Sequence, residues 1–336
     1  MKKLERSSFT ALKRERLLNY ENYVFNFDVS ALETFSIVHQ GLTQPADLLA
    51  NVPPSAFMES TQERAWQALH HLMNCYSAGH DILELRSFYI SALEYWEEYA
   101  RYSALFDQSD EGSDNSSGHI PLADTTYICA LHLICFGILL GWEKQLYRIV
   151  PILDYRNPRD GLLDRLLMMY GEDRGEPSAE CVRHLPYFKT LKIFSATTEQ
   201  KPGLVAEYLQ DWYLASRREE YYDSHKRGNA FKGYWSLEAA AITIALDIDD
   251  SIYRSAEFYP CDLVDFARNA KRDYAPVGAP QVEGNELRTK ANDPCPKSGL
   301  WQSLDVPPKT KRYEIEQPMA DLGSAYGLTV WKFVEQ

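Results

Sequence analysis

Asp223 and His225, in the segment YYDSHK, are a pair of residues whose types and spacing suit chemistry. A carboxylate and an imidazole close together can share a metal ion or pass a proton. With Glu238 they would suit a metal-dependent hydrolase, and Ser224 beside His225 offers a nucleophile as a second option. No third metal ligand stands near Asp223 and His225 in the sequence, so a role in a loop or a helix cap is favoured for both.

Other catalytic signatures are absent from the sequence. His70 and His71 are neighbours, and neighbouring side chains on a helix point about 100° apart, so the two are badly placed to share an ion. The six cysteines, at positions 75, 129, 135, 181, 261 and 295, form no C-x-x-C pair and are interpreted as reduced core thiols. The sequence has no G-x-S-x-G, P-loop, G-x-G-x-x-G or H-E-x-x-H motif. We therefore expect a protein that is not an enzyme and that uses no cofactor or metal.

Several carboxylates could instead contact a partner. Glu238 stands in the apolar run YWSLEAAAITIAL, where a buried charge is costly unless it is paired or protonated, so an internal Arg or Tyr partner is expected. In the following LDIDDS, Asp250 is predicted to cap the next turn. Asp247 and Asp249 have weaker structural reasons to be there, and they fit either an acidic patch for a basic partner or an ordinary solvated turn.

The composition favours a folded, acidic binding protein. Against 35 Lys and Arg stand 48 Asp and Glu, a net charge of −13 that disfavours nucleic-acid binding and favours a cationic partner. Hydrophobic residues make up 45% and aromatic residues 13% of the chain, which excludes wholesale disorder. The N-terminus has no apolar signal core, which predicts a cytoplasmic protein. The apolar segment from Tyr127 to Trp142 is too short to span a bilayer and predicts a buried helix instead.

Helical patterns dominate the sequence up to Asp273. Ser60 and Glu63 are spaced as a capping box and Gly79 as a helix stop, and a second helix is predicted to begin near Asp81, antiparallel to the first. Beyond Asp273, Pro and Gly recur and the runs GLWQSLD, KRYEIEQ and LTVWKF are typical of strands.

We predict an all-α fold, a two-part helical bundle with a small β-containing C-terminal tail. The predicted N-terminal helical domain spans residues 1–175 and contains an exposed polar loop at 107–119. The C-terminal helical domain spans 176–275, after a joint in GEDRGEPSAE, and the irregular, β-rich tail spans 276–336.

Two stretches carry a resemblance to a known family. GYWSLEAAAITIALDIDDS, from Gly233 to Ser251, and FYPCDLVDFAR, from Phe258, resemble the C-terminal domain of PoNi-type immunity proteins, and WYLASRREEYYDSHKRGNAFKGYWS is similar to the segment before it. YSAGHDILELRSFYISALEYWEEY, GILLGW and DGLLDRLL resemble the N-terminal domain of the same family. The resemblance covers roughly residues 70 to 272, and Leu237 departs from it where an aromatic residue is common. The tail, with PCPKSGLWQSLD, QPMA and TVWKF, resembles a short module attached to many immunity proteins of polymorphic toxins.

The resemblance implies an all-α cytoplasmic protein that protects its own cell by binding a PoNe-type DNase toxin. The toxin would be delivered between bacteria by a secretion system such as type VI. Because a DNase carries positive charge to hold DNA, we expect an acidic surface that covers its DNA-binding or catalytic face. The expected partner is the nuclease domain of the toxin, with no direct contact to nucleic acid or membrane, and a homodimer remains open.

The residues expected to bind the toxin combine the carboxylates above with nearby aromatic residues. They are Asp223, His225, Tyr234, Trp235, Glu238, Asp247, Asp249, Asp250 and Tyr259. Aromatic residues are usual anchors of interfaces, although core packing suits the surroundings of these three better. Two alternatives stay open: the metal-dependent hydrolase of Asp223, His225 and Glu238, and a secretion-system adaptor that neutralises nothing.

Overall fold

A computed structural model describes residues 1–30, 52–112, 114, 117–123, 125–228, 231–273, 287–303, 308–323 and 329–335. The helices within these residues are α1 (Arg6–Leu12), α2 (Tyr20–Val29), α3 (Pro54–Ala78), α4 (Ile82–Gln108), α5 (Tyr127–Leu139), α6 (Val150–Asp154), α7 (Gly161–Met168), α8 (Leu191–Ser195), α9 (Lys201–Ala215), α10 (Leu237–Ala245) and α11 (Cys261–Asp273). The strands are β1 (Arg288–Lys290), β2 (Gly299–Ser303), β3 (Thr310–Tyr313) and β4 (Val330–Glu335). The predicted predominance of helix is confirmed.

The longest helices, α3 and α4, form the predicted antiparallel pair. Gly79 ends α3 in the left-handed conformation, with φ of 96°, and a Cβ there would lie 2.2 Å from the carbonyl oxygen of Leu12. Asp81 caps α4 by accepting a hydrogen bond from Leu83 N at 2.7 Å. The predicted start of α3 is wrong: Pro54 begins the helix, so Ser60 and Glu63 lie in its interior and form no capping box.

Helix α5 is the predicted buried helix at the centre of the molecule. Eleven of its 13 residues are buried, and Tyr89 from α4 donates a hydrogen bond to Leu133 O at 2.7 Å. Within the described residues, no helix is both long and apolar enough to cross a membrane. The apolar helix α10 packs against α5, so one continuous core joins the two predicted helical domains. The division of those domains at residues 175 and 176 stays a prediction.

The polar loop predicted at 107–119 is shorter than expected at both ends. Asp107 is still part of α4 and is buried, because it accepts a hydrogen bond from Tyr155 OH at 2.8 Å and pairs with Arg156 at 3.1 Å. At the other end, His119 is 1% exposed and stacks on Tyr155 with ring centroids 3.9 Å apart. Residues 110, 111, 114 and 117 are exposed as predicted.

The C-terminal tail is a four-stranded antiparallel sheet with strand order β1-β4-β2-β3. Strand β2 alternates buried and half-buried residues, which is the pattern of a sheet with one covered face. Its own small core contains Cys295, Trp301, Tyr313, Met319 and Trp331. Each predicted strand segment contains a strand, but the strand in KRYEIEQ ends at Tyr313, and β1 was not predicted. Arg288 of β1 ties the sheet to the helical body through an ion pair with Glu97 of α4.

Candidate functional site

A groove of about 540 Å³ brings together four of the residues expected to bind a partner. Asp223, His225, Tyr234 and Trp235 line it, as does Tyr213 near the end of α9. The opposite wall comes from the segment between α1 and α2, residues 14–17. We call this feature the tyrosine groove.

Stacked aromatic rings form one side of the tyrosine groove. The ring of Tyr213 is stacked on Phe258 with centroids 5.5 Å apart and meets Tyr234 edge-on at 5.2 Å. Tyr222 lies 4.7 Å from the Tyr213 ring. Tyrosines offer large apolar contact area with a polar tip and little conformational freedom to lose, so this wall suits a protein partner.

Tyr234 connects the tyrosine groove to the N-terminal segment. Its hydroxyl accepts a hydrogen bond from His225 N at 3.2 Å and lies 2.7 Å from the ring Nδ1 of the same histidine. Its backbone N–H donates to Glu15 Oε2 at 2.9 Å, and Glu15 also accepts from Leu17 N at 2.9 Å. Tyr234 is 2% exposed, so it supports the groove more than it presents a surface.

Asp223 and His225 sit on a tight turn that starts a short 3-10 helix, Ser224–Lys226. Asp223 has a φ of 55°, a conformation that Asp tolerates better than most residues. Its carboxylate accepts from Tyr213 OH at 2.7 Å and from Lys226 Nζ at 3.0 Å, and these two hydrogen bonds lower the pKa of Asp223. Asp223 is therefore held as a carboxylate that is ion-paired with Lys226 at the groove.

Trp235 forms the inner wall of the tyrosine groove. Its indole N–H donates to Ser77 Oγ at 2.9 Å, and its ring meets Tyr76 edge-on at 5.0 Å. Gly233 precedes it with φ of 121°, and a Cβ at Gly233 would lie 2.1 Å from Ser77 Oγ. The close approach of this segment to α3 thus requires glycine.

The other residues expected to bind a partner do not line the groove. Glu238, which is 2% exposed, lines a second cavity instead. Its Oε1 accepts hydrogen bonds from Tyr208 OH and Trp212 Nε1, both at 2.6 Å, and from Ser236 Oγ at 2.9 Å. The expectation of an internal Arg or Tyr partner is confirmed by Tyr208.

Asp250 is an ion-paired internal residue, and the prediction that it caps a turn is wrong. It is 4% exposed and accepts from Arg268 at 2.7 Å, Arg254 at 3.2 Å and Tyr259 OH at 3.2 Å. Burial by itself raises the pKa of Asp250, but the hydrogen bond and charge of Arg268 outweigh it and lower the pKa overall. Tyr259 is 3% exposed. These contacts leave Asp250 and Tyr259 little surface for a partner.

Asp247 and Asp249 are exposed, unlike Asp250. Asp249 Oδ1 accepts from Ser251 N at 3.0 Å, and Asp247 has a φ of 50°. Both carboxylates project from the turn after α10 without a cation bound to them among the described residues. They keep the geometry of a solvated acidic patch.

Sequence reasoning missed the N-terminal wall of the tyrosine groove. Glu15 is separated from Tyr234 by 219 residues, and no pattern in either segment indicates that they meet. Tyr213 and Tyr222 carried a weak signal, because they belong to the same tyrosine-rich stretch as Asp223 and His225.

Asp223, His225 and Glu238 do not assemble into a metal site. Asp223 and His225 line the groove, whereas Glu238 lines the second cavity and has its own donors. Across the part of the chain that the structure describes, no group of three or more His, Cys, Asp or Glu side chains is arranged to hold a metal ion. The ligand geometry therefore gives the hydrolase alternative no centre among these residues.

Comparisons with known proteins match both helical parts of the chain. Residues 55–150 match the family described as PoNe immunity protein (PoNi), N-terminal, and residues 158–263 match the family described as PoNe immunity proteins (PoNi), C-terminal. The crystal structure of protein PA2201 from Pseudomonas aeruginosa has a similar fold, with a TM-score of 0.64 and 24% sequence identity over 77% of this chain and 92% of that chain. A search of curated proteins found no match.

Proposed function

Because the chain belongs to the PoNe immunity protein (PoNi) family, we propose that it binds a cognate PoNe-type DNase toxin and neutralises it. The observation that carries this proposal is the match of both family domains, over residues 55–150 and 158–263. The second match includes the aromatic wall of the tyrosine groove, from Tyr213 to Phe258. The groove is therefore built mainly from residues that belong to the family domain.

Charge supports a cationic partner. The net charge of −13 attracts a nuclease whose DNA-binding face must be positive, and such attraction raises the association rate more than the affinity. Asp247 and Asp249 are the exposed members of the predicted acidic patch. We propose that they steer the toxin and that the bound chain covers its DNA-binding or catalytic face.

The tyrosine groove supplies the anchoring contacts in this proposal. Interface energy concentrates in a few aromatic and charged residues that are shielded from water. Here Tyr213, Tyr222 and Trp235 are half-buried, and Leu17 beside them is 42% exposed, so contact area remains available. Asp223 adds a charge that is already oriented by Tyr213. Oriented groups lose little freedom on binding.

The proposal includes a cytoplasmic location and delivery of the toxin by a secretion system such as type VI. A DNase acts on the chromosome, so a protein that protects the cell from it must reach it in the same compartment. No observation favours a non-neutralising adaptor over this function.

Co-expression of the chain with the toxin domain encoded beside its gene tests the proposal. We expect cell survival, intact chromosomal DNA and a complex that co-purifies. Rescue without a complex would point to enzymatic removal of the toxin effect, and absence of rescue would favour the adaptor alternative. Light scattering on the purified chain alone tests the predicted possibility of a homodimer.

A further inference from the structure

A partly open cavity of about 250 Å³ lies among the helices, and Trp235 lines both this cavity and the tyrosine groove. Side chains from four helices line it: His70 of α3, His132 of α5, Trp212 of α9 and Glu238 of α10. We call it the inner cavity. An engineered cavity of about 150 Å³ in another protein accommodates benzene. The inner cavity is larger, so it can hold the end of a long side chain.

The two histidines of the inner cavity lack a protein hydrogen bond. Among the described residues, none donates to or accepts from the imidazole of His70 or His132. Burial, followed by the nearby Lys232 and His132, lowers the pKa of His70 to about 3, and burial lowers the pKa of His132 to about 4. Both rings are therefore neutral near neutral pH, and each has one nitrogen that accepts a hydrogen bond. Both side chains are half-buried and line the cavity, so these nitrogens are available to a donor that enters it.

Glu238 adds an acceptor with charge. Its Oε1 takes three side-chain donors, from Tyr208, Trp212 and Ser236, and no side chain among the residues described here donates to its Oε2. Burial raises the pKa of Glu238 in spite of these hydrogen bonds, because no cation lies against the carboxyl. A cation in the inner cavity would relieve this cost.

The walls of the inner cavity suit a flat cation. Trp212 and Tyr221 are stacked at 5.5 Å with their planes 12° apart, and both line the cavity together with Trp235. Aromatic faces attract cations, and a planar guanidinium stacks on them better than an ammonium does. Lys232, which is half-buried, also lines the cavity, together with the carboxylates of Glu220 and Glu238. Glu219 is already paired with Arg183 at 2.7 Å.

We propose that the inner cavity binds an alkylguanidinium group, namely the side chain of an arginine that the toxin inserts. This inference rests on the proposed function for its source of arginine, although the chemistry of the cavity stands by itself. The guanidinium N–H groups donate to Glu238 Oε2 and to the histidine acceptors, and its plane lies against the indole walls. The same chemistry would accept a free arginine-like molecule, so the test separates the two sources.

The first arm of the test uses the purified chain without toxin. N-acetylarginine amide is titrated against tryptophan fluorescence and calorimetry, beside N-acetylcitrulline amide, which has the same shape and no charge. We expect the arginine compound to bind and to change the emission of Trp212 and Trp235, and the citrulline compound to bind at least about tenfold more weakly. Equal binding, or no binding of the arginine compound, overturns the proposal.

Two substitutions locate the binding. Glu238→Gln keeps Oε1 as the acceptor for its three donors and replaces Oε2 by an amide donor, so it should fold and weaken binding of the arginine compound by about tenfold to a hundredfold. His132→Phe removes an acceptor from α5 and should weaken binding as well. His184→Ala, at an exposed histidine that does not line the cavity, is the matched control and should leave binding unchanged. Binding that survives both cavity substitutions overturns the assignment.

The second arm measures the affinity of the toxin domain for the same variants. Weaker toxin binding by Glu238→Gln, with normal binding by His184→Ala, supports insertion of a toxin arginine. Unchanged toxin binding by Glu238→Gln overturns toxin insertion and leaves a site for a free guanidinium compound. If the wild-type chain does not bind or neutralise the toxin, the proposed function fails, and the first arm still decides the chemistry of the cavity.

Discussion

Glu97 and Glu238 are two glutamates of the helical body that are almost equally buried. The pKa of Glu97 is lowered, whereas the pKa of Glu238 is raised. Their exposed fractions are 3% and 2%. Glu97 accepts two hydrogen bonds from Arg148, both at 2.7 Å, and also pairs with Arg288. Burial alone raises the pKa of Glu97, but the charges of Arg148 and Arg288 reverse this and lower the pKa overall.

Glu238 has only neutral donors in place of the two arginines. Burial accordingly raises the pKa of Glu238, and its neutral donors offset this only in part. The difference teaches that burial alone does not distinguish a structural carboxylate from a functional one. An internal cation decides the direction in which the pKa of a buried carboxyl moves, and a carboxyl that lacks one can gain from a cation brought by a partner.

Of the substitutions that test this comparison, Arg148→Met should change the free energy of unfolding most. It leaves Glu97 buried with Arg288 alone and should lower the free energy of unfolding by about 3 kcal/mol, the lower end of the range for breaking a buried pair. Urea denaturation near neutral pH measures it. The double variant Glu97→Gln with Arg148→Met should regain part of the loss, since no charge is then stranded. A loss well under about 1 kcal/mol in the single variant would show that Arg288 suffices.

The pH dependence of the Glu97 contribution follows from its lowered pKa. A carboxyl with a lower pKa in the folded state contributes stability that is complete above its ordinary value of 4.5 and is lost as the pH falls through the folded value. We therefore expect the wild type to lose more stability on acidification than Glu97→Gln with Arg148→Met does.

Arg268→Met tests an intermediate case, the Asp250 pair. Asp250 is buried, but the Arg268 side chain is 28% exposed, and Arg254 also contacts the carboxylate. Solvent and Arg254 moderate the loss, so we expect about 2 kcal/mol of destabilisation, less than for Arg148→Met. Thermal unfolding measures the loss of stability in Arg268→Met. Lys226→Met, which breaks an exposed ion pair, is measured beside it for comparison. Equal effects of the two substitutions would show that the Asp250 pair behaves as a surface pair.

Glu238→Gln should change the free energy of unfolding less than Arg148→Met or Arg268→Met does, and it should not destabilise the protein. Removing a buried carboxyl without an internal cation should leave stability unchanged or raise it by about 1 kcal/mol near neutral pH. A carboxyl with a raised folded pKa contributes less stability as the pH rises from its ordinary value of 4.5 through the folded value. The wild type should lose stability over that interval, and the variant should not. Marked destabilisation of Glu238→Gln would mean that its charge is needed for folding and would break the contrast with Glu97.

The sequence predicts elements whose signals are local. The stop at Gly79, the start at Asp81 and the buried α5 are confirmed because caps and apolar runs are read from neighbouring residues. Partners from distant segments are not predictable in this way. Glu15 reaches Tyr234 across 219 residues, and Arg268 turns the expected cap Asp250 into an internal ion pair.

The predicted partner-binding residues divide for the same reason. Asp223 and His225 do share a groove, and their part in binding a partner stays a prediction. Their accessibility depends on tertiary packing, which buries Tyr234, Glu238 and Tyr259. A single sequence carries no signal for that packing beyond the apolar context of each residue.

Asp247→Asn with Asp249→Asn should have the smallest effect on stability and should act on association alone. Both carboxylates are exposed, so we expect a change in unfolding free energy within about 0.5 kcal/mol. If they steer a basic toxin, the association rate at low salt should fall about threefold, and the difference from wild type should vanish at high salt, where charges are screened. Stopped-flow measurements at two salt concentrations test this, with Glu199→Gln at another exposed carboxylate as control. An unchanged rate at low salt would place the steering charge elsewhere on the chain.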